Sequence, residues 1–186
     1  TGVFMENIVG TLGREEGHST KYLSDDPQYP CNIVDDKYKA SCYFLQTSQM
    51  LTLFKGDFAK VAAACSKAPS QFQRSCFESM GRDVGGVNRN DPPAAIAACY
   101  NAPIGSSRTG CLIGAAQDSF WDPSGQDNAL RFCSLLKVRA EKDACYNIIF
   151  DRAPQVLASR ADLESFCAKA EQDYQSSCKS LSANFK

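Results

Sequence analysis

Asp57-Phe-Ala-Lys-Val-Ala-Ala-Ala-Cys65-Ser-Lys-Ala-Pro-Ser70-Gln-Phe-Gln-Arg-Ser-Cys76-Phe-Glu-Ser-Met80 is the stretch that decides the fold. Asp57 stands where a helix N-cap belongs, and its short side chain suits that place. Val61 and Ala62 precede Cys65 by four and three positions, so they share one helical face. A polar turn, Ser66-Lys-Ala-Pro-Ser70, follows. Cys76 then opens an apolar run in which Phe77 and Met80 again fall at helical spacing.

The unit recurs. Cys31, Cys65, Cys99, Cys133 and Cys167 stand 34 residues apart without exception. Cys42, Cys76, Cys111, Cys145 and Cys178 follow at steps of 34, 35, 34 and 33. A fixed period in the range of about 20–50 residues marks repeat architectures, and about 34 is the length of a helix–turn–helix unit. Before the first cysteine of the later copies lie Asp91-Pro-Pro-Ala-Ala-Ile-Ala-Ala-Cys99, Asp127-Asn-Ala-Leu-Arg-Phe-Cys133 and Asp162-Leu-Glu-Ser-Phe-Cys167, each led by an Asp that suits an N-cap. Pro92 fits a first helical turn. After the second cysteine come apolar runs, such as Cys145-Tyr-Asn-Ile-Ile-Phe, which could also be buried strands. Leu45, Met50 and Leu53 argue for helix, and the period leaves room for two helices of about ten residues. Gly85-Gly86 and Asp122-Pro-Ser-Gly125 read as linkers between units.

Each unit therefore reads helix, cysteine, turn, cysteine, helix. The two cysteines fall near the closed end of one αα-hairpin, where Cα atoms can approach to about 5.5 Å. The expected disulfides are Cys31–Cys42, Cys65–Cys76, Cys99–Cys111, Cys133–Cys145 and Cys167–Cys178. The fold class is all-α: a disulfide-stapled αα-hairpin repeat solenoid of period 34 over residues 31–186, with residues 1–30 as an N-terminal cap or docking segment.

Composition narrows the function. The chain has 186 residues, 44% apolar and 22% charged, ordinary values for a globular protein. Its net charge of −1 leaves no footprint for nucleic acid or an anionic membrane. No apolar run approaches the ~18 residues of a transmembrane helix. No basic start followed by an apolar run is visible, and the chain begins at Thr1, which reads as a mature or trimmed product or equally as a piece of a longer chain. Ten cysteines against one histidine call for an oxidising compartment, periplasmic or extracellular. Asn7, Asn32, Asn88, Asn101 and Asn147 lack the Asn-x-Ser/Thr acceptor pattern, which leans toward a bacterial envelope.

The pattern resembles Sel1-like repeats, relatives of tetratricopeptide repeats, in their cysteine-rich secreted form. The residues that carry the resemblance are the Ala-rich helix ending in Ala-Ala-Cys or Phe-Cys and the second cysteine that follows. Gly110-Cys111-Leu112-Ile113-Gly114-Ala115 is the closest local match. The gap between cysteines is longer than in that family, and most of its glycines after the second cysteine are missing. The resemblance implies a superhelical stack of hairpins and roles in binding proteins or peptides and assembling envelope complexes. No ligand-binding residue transfers.

Residues 1–30 lack cysteine and hold the only histidine, His18, beside Lys21, Tyr22 and Asp25. A long loop there, over residues 13–30, is where a chemical site would sit. The other reading is that the segment caps the stack or docks on a partner. Cysteine spacing and scarce histidine argue against a metal site, and nothing in the sequence calls for a cofactor. Asp25-Asp26 and Asp35-Asp36 read as turn and cap residues, and Asp122-Pro-Ser-Gly-Gln-Asp127-Asn128 as a turn with an N-cap. Aromatic residues beside cysteines (Tyr43, Phe44, Phe77, Phe132, Tyr146 and Phe166) read as packing. Phe120-Trp121 departs from the repeat pattern and is the candidate interface anchor.

The leading expectation is a non-enzymatic interaction module with no catalytic residue, a subunit of a periplasmic or extracellular complex with a protein partner. The alternatives are a secreted hydrolase-like enzyme with a site around His18, and a small-molecule or cofactor carrier near Trp121.

Overall fold

In a computed structural model of the chain, the described residues are 24–120 and 125–181. Among them are ten α-helices and no strand. In chain order they are α1 (Asp36–Tyr43), α2 (Thr47–Leu53), α3 (Phe58–Cys65), α4 (Ser70–Val87) and α5 (Pro92–Cys99). They continue with α6 (Ser106–Ser119), α7 (Gly125–Leu135), α8 (Arg139–Val156), α9 (Arg160–Lys169) and α10 (Gln172–Ser180). None of them is long and apolar enough to cross a membrane.

All ten cysteines are paired as the spacing predicts, with Cα atoms 5.5 Å apart in four bridges and 5.4 Å in the fifth. The bridges join α3 to α4, α5 to α6, α7 to α8 and α9 to α10, and tie α1 to the turn that holds Cys31. The helix lengths differ from the expectation of about ten residues: α4 and α8 each have 18. The second cysteine is not the start of its helix either, since Cys76 comes six residues after Ser70 and Cys145 six after Arg139. The polar residues before it, such as Ser70–Ser75, form the first turns of the helix instead of a connecting loop. The bridges that join helix pairs therefore reach into the body of the second helix, not its first residue.

Two of the four Asp caps are as expected. Asp57 accepts from Ala59 and Lys60 amides at 3.0 and 3.2 Å, and Asp91 from the Ala94 amide at 3.1 Å. Asp162 and Asp127 lie inside the first turn of their helices. Ser159 caps α9, accepting from the Asp162 amide at 3.1 Å and donating to its carboxylate at 2.7 Å. Asp127 instead accepts from Lys169 Nζ at 2.8 Å, linking α7 to α9. Acidic side chains in a first turn still oppose the helix dipole, which explains why Asp recurs there without capping.

The helix pairs repeat small contacts. Gln73, three before Cys76, donates to the Ser66 and Ala68 carbonyls at 2.9 and 3.0 Å. Gln175, three before Cys178, donates to the Ala168 and Ala170 carbonyls at 3.1 and 3.0 Å. In both cases one amide group satisfies the carbonyls left over at the end of the preceding helix. The core runs along the whole set and includes Met50, Phe77, Leu112, Ile149 and Leu163, none more than 0% exposed. Of the aromatic residues beside cysteines, Tyr43, Phe77, Phe132, Tyr146 and Phe166 are buried, whereas Phe44 is exposed.

Gly85-Gly86 is not a linker. Both residues lie inside α4, which packs more extensively on α6 than any other pair of helices. Arg74 and Glu78 of α4 meet Gly110, while Glu78 and Arg82 meet Gly114, so the two helices run in the same direction. The contact is backbone on backbone: a Cβ at Gly81 would stand 2.0 Å from the Cys111 carbonyl oxygen, and one at Gly114 would stand 2.2 Å from that of Glu78. A glycine inside a helix costs about 1 kcal/mol relative to alanine, so close packing must return more than that.

One buried ion pair joins α6 to α8. Arg108 Nε donates to Glu141 Oε1 at 2.7 Å, and the Glu141 side chain is 4% exposed. Arg108 also lies over the Tyr100 ring, 4.7 Å from its centre. Removing one partner strands the other charge away from water. Arg108→Met is expected to cost about 3 kcal/mol in urea unfolding, with most of it recovered in Arg108→Met/Glu141→Leu. A single-variant loss below about 1 kcal/mol contradicts this account of the pair.

Two tyrosines pack between α8 and α10, Tyr146 and Tyr174, with ring centres 4.0 Å apart. Tyr174 donates to the Asp143 carboxylate, and Tyr146 to Glu171 Oε2 at 3.3 Å. Burial and the neighbouring Asp143 push the Tyr174 hydroxyl up to about 12, and burial with Glu171 raises Tyr146 too. The unfolded phenol titrates near about 10. A folded value above the unfolded one means this stability is whole below about pH 10 and fades as the pH rises toward about 12. The melting temperature is expected to fall between about pH 9 and about pH 11, and to fall less in Tyr174→Phe. Equal slopes for the two proteins would remove Tyr174 from the explanation.

Candidate functional site

An open groove of about 630 Å³ lies between α2, α4 and the end of α6. Leu51, Gly86 and Val87 give it an apolar floor, and Lys55, Arg82, Asp83 and Asp118 stand around it. Its shape starts with how α2 ends. The Lys55 amide donates to the Thr52 carbonyl at 3.2 Å and the Gly56 amide to that of Leu51 at 2.9 Å, a paired helix stop that turns the chain sharply. Lys55 occupies the left-handed position of that stop at φ 54°, where glycine is the usual residue, and Gly56 follows at φ 83°. A side chain in that conformation costs about 1 kcal/mol.

The wall on the α4 side is a hydrogen-bonded cluster. Asp83 accepts from Thr47 Oγ1 at 2.7 Å and Ser48 Oγ at 3.0 Å, and pairs with Arg82 Nη2 at 3.1 Å. Arg82 Nη2 also donates to Ser48 Oγ at 3.0 Å, and Thr47 shares a 2.6 Å hydrogen bond with the buried Ser79. On the opposite side Arg89 Nη2 donates to Asp118 Oδ2 at 3.1 Å. Asp83 and Asp118 stand 35 residues apart, the same step as Cys76 to Cys111, so they hold matching places on α4 and α6. Both oxygens of Asp83 are engaged and Ser48 donates to one of them, which makes this cluster a rigid wall rather than an acid–base pair. Above Gly86 the space is open: a Cβ there would meet only Asp118 Oδ2, at 3.8 Å.

A second, smaller hollow of about 280 Å³ lies among Asp127, Arg131, Tyr146, Lys169 and Glu171. Its walls are charged and mostly paired: Lys169 with Asp127 at 2.8 Å, and Glu171 with Lys142 at 3.0 Å. No group of three or more metal-ligating side chains occurs among the described residues.

Neither protein-family profiles, curated proteins nor solved structures give a match to the chain.

The expected site residues divide as follows. His18, Lys21, Tyr22 and Trp121 lie outside the described residues. Asp25 is exposed in the turns before α1. Phe120 is corrected: it is 2% exposed and packs edge-on to Phe166 with ring centres 5.7 Å apart, so it belongs to the core and not to an exposed interface. It completes an aromatic row with Phe150, which meets Phe166 at 6.2 Å. Of the groove residues only Gly86 figured among the sequence expectations, and there as part of a linker. The one signal that pointed to them was the pair Asp83 and Asp118 at repeat-matched positions.

Proposed function

We propose that this chain is a non-enzymatic protein-interaction module of a periplasmic or extracellular assembly. The observation that carries the reading is the open, apolar-floored groove between α2, α4 and α6, walled by two Asp–Arg pairs. Such a groove is shallow for a small metabolite, which usually needs an enclosing pocket, and suits a polypeptide segment. The five disulfides fit an oxidising compartment. The finer architecture proposed with it is a stack of five αα-hairpins of period 34, akin to Sel1-like and tetratricopeptide repeats. The recurring bridge, the equal roles of Gln73 and Gln175, and the same-direction packing of α4 on α6 support it. Stacked units of this kind build long surfaces for partners.

Photo-crosslinking tests the proposal. Val87 lines the groove and is 69% exposed, so a photoreactive side chain placed there reaches whatever occupies it. In the native compartment the expected product is an adduct with one reproducible polypeptide. Loss of every adduct, or adducts of small-molecule mass only, would overturn the reading.

A further inference from the structure

Among the charged residues lining the groove, three are neutralised in place. Arg82 pairs with Asp83, and Asp118 with Arg89. Lys55 is the exception: it is exposed, and no carboxylate lies within salt-bridge distance of its ammonium group among the described residues. The groove thus presents one positive charge at the end of an apolar floor formed by Leu51, Gly86 and Val87. The backbone holds Lys55 there against its own preference, at φ 54°, as part of the α2 stop. Its backbone is therefore placed by the end of α2, and the side chain extends from that point into solvent beside the groove.

Building on the interaction reading, we propose that the groove takes an extended peptide segment that carries an Asp or Glu beside a large apolar side chain. The carboxylate meets the Lys55 ammonium, and the apolar side chain lies over Leu51 and Val87, in the open space above Gly86. Two features favour a peptide over a fatty acyl chain of the same charge. The groove is open along its length, whereas an acyl chain gains most from an enclosed apolar tube. Hydroxyl and carboxylate groups of Ser48, Thr52 and Asp118 also line the groove, and peptide amides can use them while methylenes cannot.

The test is selection of a displayed random heptapeptide library on the disulfide-intact full chain. The expected result is enrichment of sequences with an acidic residue next to Leu, Ile, Val or Phe. Their affinity is expected to fall at least about tenfold for Lys55→Glu and for Gly86→Trp, the first reversing the charge and the second filling the floor. Circular dichroism checks that both variants keep the parent's helix content and melting temperature. A Lys55→Gln variant at the same site, which only removes the charge, is expected to show an intermediate loss. Failure to enrich any peptide, or enriched peptides that bind Lys55→Glu and Gly86→Trp as well as the parent, overturns the proposal. Binding of oleate at the Leu51, Gly86 and Val87 amides without any enriched peptide overturns it in favour of an acyl ligand. A native partner that stays bound to Lys55→Glu removes this groove as its site and leaves the interaction reading standing.

Discussion

Gly81→Ala is expected to destabilise the protein by about 3 kcal/mol or more, although the change is one methyl group and favours helix intrinsically. The new Cβ would stand 2.0 Å from the Cys111 carbonyl oxygen and 2.8 Å from its carbon. Those are backbone atoms, held by α6 and by the Cys99–Cys111 bridge, so they cannot swing aside as a side-chain tip would. The two helices must separate, and separation loses packing along the rest of their contact. Gly86→Ala is the internal control. Its Cβ meets nothing nearer than 3.8 Å and sits in the last turn of α4, so it is expected to be neutral or to stabilise by about 0.5–1 kcal/mol. Urea unfolding of the two variants decides the matter. Equal stabilities would mean that α4 and α6 do not lie backbone to backbone.

Reduction of the disulfides is the second large effect. Each bridge closes a loop of 11 or 12 residues. Loops of that size contribute about 3 kcal/mol each by restricting the unfolded chain. A domain of this size has a total stability of about 5–15 kcal/mol, so five bridges together are comparable with all of it. The fully reduced and alkylated chain is expected to lose cooperative unfolding and most of its helical dichroism. Removing one bridge alone, as in Cys65→Ser/Cys76→Ser, is expected to cost about 3 kcal/mol and leave a folded protein. Short helices such as α3 and α5, eight residues each, explain this dependence, because helices of that length do not hold themselves in water. A reduced chain that still unfolds cooperatively with native dichroism would show that the bridges decorate a core sufficient without them.

The helical class and the pairing of Cys31 with Cys42, Cys65 with Cys76 and their counterparts were legible because both rest on spacing along the chain. What escaped depends on two elements meeting in space. Gly85-Gly86 carried the composition of a linker, yet Gly85 is glycine because Ala115 and Asp118 of α6 press on it. Phe120, next to Trp121, suggested an exposed anchor, but Phe166 lies 46 residues on and only the packing of α9 brings it over. Asp127 and Asp162 matched a capping position by sequence, while the helices start one turn earlier, at Gly125 and Arg160. The groove draws on residues from Ser48 to Asp118, so no single window could contain it. The repeat itself offered the route, since aligning units on their second cysteines superposes Asp83 and Asp118.

Native mass spectrometry of the protein from its own source, repeated after denaturation, tests the interaction reading most directly. The account predicts a native mass well above that of the denatured chain, with a second polypeptide released on denaturation. The same single-chain mass under both conditions, at concentrations where such complexes persist, would contradict it.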